Sequence, residues 1–124
     1  MLENIDLLSS EPVYTQIEKQ VQFDIAAGRL KSEDRLPSVR ELSERLGVNP
    51  NTVAKAYRDL QLMGWVTARR NMGIFVTRGC EQRCRDDVRH RLTEQLFQAV
   101  AEAKAAGMSH EEINKISEEA FGSR

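Results

Sequence analysis

Four polar side chains crowd the start of one short helical stretch: Asn49, Asn51, Thr52 and Lys55. Asparagine and threonine can hydrogen-bond to the edges of bases, and lysine can meet either guanine or a phosphate. Arg58 follows a turn later, where a backbone contact is the natural role. Arg35 and Arg40 flank the start of the preceding helical segment, whose own first N–H groups can hold a phosphate. Arg69 and Arg70 come near the tip of a later hairpin, placed to reach a minor groove or the backbone. Together these groups offer base-edge readout within a frame of phosphate contacts.

Each residue also has a plainer role open to it. Asn49 and Thr52 can serve as helix caps, and Arg45, four residues after Glu41, can form a surface ion pair worth little. Trp65 and Phe75 read as core residues anchoring the hairpin.

Other chemistries find little support. His90 and His110 are far in sequence from any nucleophile, and there is neither a glycine-rich phosphate loop nor a paired-carboxylate signature. The expectation is therefore a chain that is not an enzyme and needs no cofactor. Cys80 and Cys84 are four apart, not in C-x-x-C spacing, and no second ligand pair exists. They read as reduced cytosolic thiols. The alternatives are an intersubunit disulfide, a redox switch, or a metal site with His90 assembled across a dimer.

Net charge over the 124 residues is only −1, but it is segregated. Residues 1–34 carry three bases and seven acids, residues 35–79 eight and three, and residues 80–124 seven and nine. The middle third thus stands at +5, the footprint that a phosphate backbone requires. Apolar runs are far shorter than the roughly 20 residues that cross a membrane. The opening MLENIDLLSSEPVY is acidic and has no apolar core, unlike a secretory signal, so a cytoplasmic address is expected.

The elements that must hold these groups are legible in the periodicity. Pro12 opens a helix running to about Ala27, with Val13, Ile17, Val21 and Ile25 on its buried face and Gly28 ending it. Ser38 and Glu41 form a capping box for a second helix, with Val39, Leu42 and Leu46 inward and Gly47 as its stop. Asn49 caps a third, with Pro50 in its first turn and Val48 stapling to Val53. Val53, Ala56, Tyr57, Leu60 and Met63 continue its inner stripe to Gly64. Two short helices joined by Leu46-Gly47-Val48-Asn49 make a helix-turn-helix. Residues 65–68 and 74–77 then read as two strands around a turn in which Asn71 and Gly73 can take positive φ.

The remainder reads as two helices separated by Gly107. Val88, Leu92, Leu96 and Val100 keep a four-residue spacing in the first, and Ser109 and Glu112 cap the second, which carries Ile113 and Ile116. These helices hold too little apolar surface to close a core of their own. Their stripe is expected to bury against the DNA-binding domain or, as the preferred reading, against a second copy of the chain.

The run Arg35-Leu-Pro-Ser-Val-Arg-Glu-Leu-Ser-Glu-Arg-Leu-Gly-Val-Asn-Pro-Asn-Thr-Val-Ala-Lys-Ala-Tyr-Arg-Asp-Leu closely resembles the DNA-binding domain of the GntR family of bacterial transcription regulators. The resemblance spans about residues 11–78, and the short helical tail resembles the YtrA-type subfamily. It implies phosphate or base contacts from Arg35, Ser38, Arg40, Asn51, Thr52 and Lys55, with wing contacts around Gly73. It also implies repression of a nearby operon. The wing departs from the frequent R-R-G-x-G pattern: Asn71 replaces the first glycine, and Ile74 stands where threonine is common.

The expected fold is mainly α with a small β wing. Residues 1–78 would form a winged helix-turn-helix, and residues 79–124 a two-helix dimerisation tail. The expected function is a sequence-specific regulator, a repressor by resemblance, acting as a homodimer on palindromic double-stranded operator DNA. A winged helix serving only as a protein-interaction module is the alternative, against which the polar, basic face at Asn51, Thr52 and Lys55 argues. A small-molecule effector could act through the tail, but no residue pattern names one.

Overall fold

In the computed structural model, which describes residue 2 and residues 4–123, the chain runs α1 (Val13–Ala26), α2 (Val39–Leu46), α3 (Pro50–Met63), β1 (Val66–Arg69), β2 (Gly73–Val76), α4 (Glu81–Ala105) and α5 (His110–Gly122). Each boundary has a local cause. Pro12 stands at the N-cap of α1 in an extended conformation, and Gly28, at φ +84°, follows the helix end. The Ser38–Glu41 capping box of α2 is complete, with both reciprocal hydrogen bonds at 3.0 Å. Gly47 then adopts a left-handed conformation (φ +68°), and the Val48 N–H reaches back to the Ser43 carbonyl at 3.0 Å. This closure turns the chain within two residues, so α3 can start at Pro50 with Asn49 as its cap.

The core of the first compact unit, which ends at Val88, gathers one face from each element. Ile17, Val21 and Ile25 of α1 meet Val53, Ala56, Tyr57 and Leu60 of α3, with Leu42, Trp65, Val66 and Val76 closing the sides. Trp65 is buried, as its sequence context implied, and Phe75 is half-buried. Gln16, buried among apolar neighbours, is satisfied by the backbone of Asp6 and Glu11, which folds the preceding segment onto α1.

The β1–β2 hairpin is antiparallel in the register Val66↔Val76 to Arg69↔Gly73. Asn71 supplies the positive φ (+63°) at its tip, the role the sequence suggested. A third extended segment joins it. The Leu36 N–H bonds the Ile74 carbonyl and the Val76 N–H bonds the Asp34 carbonyl, both at 2.8 Å. The wing is therefore laced to the chain just before α2.

Two expectations are corrected at the start of α4. The compact unit extends ten residues past 78, because Cys80, Cys84 and Val88 belong to its core. Val88, expected in the dimerisation stripe, is only 5% exposed and belongs to this core instead. Cys80 and Cys84 are buried thiols that donate to the Trp65 and Gln22 carbonyls, not a disulfide. Among the described residues no group of three or more potential ligands could hold a metal. Ser32 bonds Glu81 through its N–H (3.1 Å) and its hydroxyl, which pins the first turn of α4.

The second unit, from Arg89 onward, comprises the rest of α4 and α5. The Ser109–Glu112 capping box is complete. None of its described residues is buried, and Leu96, Phe97 and Phe121 are 68%, 74% and 91% exposed. No helix among the described residues is long and apolar enough to cross a membrane.

Candidate nucleic-acid interface

The helix-turn-helix brings the polar groups into one region by simple means. The α3 stripe Val53, Ala56, Tyr57 and Leu60 faces the core, which leaves Asn51, Lys55 and Arg58 exposed and Thr52 half-buried. Tyr57 adds a tie that spacing did not announce. Its hydroxyl donates to the Pro37 carbonyl at 2.7 Å, fixing α3 against the chain that leads into α2. Burial pushes the Tyr57 phenol well above its usual range, so it remains a donor at any physiological pH.

Asn49 has the capping role: its side chain accepts from the Asn51 N–H at 2.8 Å. Ser38 likewise accepts from the Glu41 N–H. Both still stand at the mouths of helices, where N–H groups and a partial positive charge favour an anion. Glu41 is drawn into the capping box, and the Ser38 backbone N–H and hydroxyl hold its carboxyl below the usual range. The ion pair expected between Glu41 and Arg45 does not form. The i,i+4 pair on α2 is Arg40–Glu44, at 3.3 Å. Arg45 is instead exposed and shares a shallow recess with Arg35, Leu36, Pro37 and Glu41, which adds a cation to the set the sequence proposed.

Three of the cations are held in place by carboxylates, Glu44 and Glu33 exposed and Asp59 half-buried. Arg40 pairs with Glu44, Lys55 with Asp59 at 3.4 Å, and Arg69 with Glu33 at 3.1 Å. Such surface pairs contribute about 0–1 kcal/mol each, so a phosphate can take the cation over at little cost. Arg69 also stacks over Phe75, with its guanidinium carbon 4.3 Å from the ring centroid. Arg70, at the hairpin turn, is exposed.

Arg35 joins the wing to the rest of the site. Its backbone bridges to Phe75, and its guanidinium lies against Gly73. A Cβ at Gly73 would come within 3.0 Å of Arg35 Nε, and the glycine sits at φ +122°. Glycine is thus required there on two counts, the backbone angle and the space. The assembled surface offers guanidinium and ammonium groups, amide and hydroxyl side chains, and two capped helix N-termini. It can bind phosphates and hydrogen-bond to bases.

Comparison with known proteins agrees with that chemistry. The sequence profile of the family described as "Bacterial regulatory proteins, gntR family" matches residues 13–76. Over its length the chain is similar to the HTH-type transcriptional repressor YtrA of Bacillus subtilis (strain 168), 36% identical over 97% of this chain and 95% of that protein. Its structure is similar to a transcriptional regulator from Oenococcus oeni, with a TM-score of 0.73 and 32% identity, covering 96% of this chain and 98% of that one. It also resembles the DNA-binding domain of AraR solved in complex with operator ORX1, with a TM-score of 0.53 and 28% identity over 58% of this chain and 89% of that one. The chain belongs to the GntR family of bacterial regulatory proteins and is a DNA-binding transcription regulator, not an enzyme.

Proposed function

We propose that the chain is a cytoplasmic repressor that binds a palindromic operator as a homodimer. The recognition helix α3 enters the major groove with Asn51, Thr52 and Lys55 toward the bases, and Arg58 meets the backbone. Arg35, Ser38, Arg40 and Arg45 hold phosphates beside it, and the wing reaches the flanking groove with Arg69, Arg70 and Gly73.

The observation that carries the dimer is the tail. Leu92, Leu96, Phe97, Val100, Ile116 and Phe121 are all exposed, and no described residue beyond Val88 is buried. A contiguous apolar surface of this kind is uncommon on a monomer. A second copy offers the same surface about a two-fold axis, and a two-fold protein matches an inverted-repeat site. Ile113, half-buried, belongs to the same face. A small-molecule effector would act through this tail, where Val100, Lys104, Met108, His110 and Ile113 line a hollow.

Selection of bound duplexes from a random DNA pool tests the reading. An inverted repeat is the expected product. Recovery of no preferred sequence by folded protein at low salt would favour the protein-interaction alternative.

A further inference from the structure

Behind the recognition helix, α1 and α3 share a small charged cluster that base and phosphate contact does not explain. Glu18 of α1 stands one turn after Tyr14, on the side where Lys55 and Asp59 of α3 meet α1, and its Oε2 is buried with no hydrogen-bond partner. The Asp59 carboxylate accepts from Lys55 Nζ at 3.4 Å, and that ammonium lies 4.6 Å from the Tyr14 ring centroid. Two neighbouring carboxyl groups on facing helices favour keeping one proton, because two ionised ones would repel.

Glu18 keeps that proton. Burial first, and then Asp59, push its carboxyl up to about 7, against the pull of Lys55. Glu18, with Lys55 and Arg58, holds Asp59 below its usual range. From α4, Arg85 donates to the Ala26 carbonyl, two turns from Glu18.

We propose that Glu18 is a positioning residue for DNA recognition: acting through Asp59, it decides whether Lys55 stays tethered to the α1–α3 face or passes to the DNA, so that binding takes up a proton at Glu18. The inference rests on Lys55 belonging to the DNA-reading face. With Glu18 protonated, the carboxyl pair carries one negative charge. With Glu18 ionised it carries two, grips Lys55 harder and repels an arriving phosphate. DNA draws Lys55 away and adds its own negative field, and both effects raise the Glu18 midpoint in the complex. Affinity is then full below the midpoint of the protein alone, about 7. It falls as pH rises from there toward the higher midpoint of the complex, by up to about tenfold per pH unit for one proton.

Binding of a mixed-sequence duplex, measured at constant ionic strength from about pH 6 to about pH 8, reads this linkage directly. Wild-type affinity should fall across the range, while Glu18→Gln, which keeps the shape and the donor, should hold the low-pH affinity throughout. Parallel profiles for the two proteins, or a flat wild type, would overturn the proposal. NMR of the protein alone gives a second readout that needs no DNA. The Lys55 side-chain resonances should titrate with Glu18 in the wild type and lose that step in Glu18→Gln. A Lys55 signal indifferent to Glu18 overturns the tether, whereas failure to bind duplex at every pH strikes the DNA reading itself.

Discussion

Among the side chains proposed to meet phosphate, Arg40 is the cleanest probe. It projects from α2 with only Glu44 for company, so removing it disturbs no core contact. Arg40→Ala should weaken binding by a similar factor on every sequence and reduce the salt slope by about one. Titrating duplexes of different sequence at several salt concentrations checks this, and unchanged affinity and slope would remove Arg40 from the interface. How much could be read at this scale depended on sequence distance. Ser38 and Glu41 are three apart, so their capping box follows from local geometry. The bond from Tyr57 to the Pro37 carbonyl joins residues twenty apart, and nothing in the periodicity signals it. Arg45 was misread for a related reason. Its spacing from Glu41 permits an ion pair, but the capping box claims that carboxylate first.

The elements themselves were legible because each carries its own start, stop and period. The helix-turn-helix and hairpin follow from Gly47, Asn49-Pro50, Gly64 and the change of period at Trp65. What stayed hidden was the lacing of residues 34–36 onto β2, a backbone pairing with no side-chain signature. That lacing places Arg35 against Gly73, and there the wing can be tested as an element. Gly73→Ala sets a methyl 3.0 Å from Arg35 Nε on a backbone angle of +122°. The fold should survive, since the hairpin core at Val66 and Val76 is untouched, while strain of about 1–3 kcal/mol displaces the wing tip and Arg35. DNA affinity should drop by about tenfold or more with the melting transition still cooperative. Unaltered affinity would mean that the Arg35–Gly73 contact does not shape the interface.

At the scale of the whole molecule, the proposed dimer would pair two reading heads through their tails. The sequence stripe from Val88 to Val100 ran unbroken, and no residue in it marked where the helix leaves the core of the head. Val88 therefore looked like its tail neighbours, and only the burial of Cys80, Cys84 and Val88 in the core of the first unit separates them. Leu96 is the better probe, being outside that core and 68% exposed. Leu96→Asp should sediment as a monomer and bind operator weakly, with the head still folded; a dimer of unchanged mass would show that the tail is not the interface.

The most direct test of the paired-head account keeps the protein intact and alters the DNA. Its two recognition helices should require half-sites on one face of the duplex, about one helical turn apart or a multiple of it. Wild-type affinity is to be measured for the selected inverted repeat and for the same repeat with about five base pairs, half a turn, added at its centre. The account predicts that the lengthened site binds at least tenfold more weakly and recovers when about ten base pairs are added instead. Equal affinity for all three duplexes would contradict it, because each head would then be reading DNA alone.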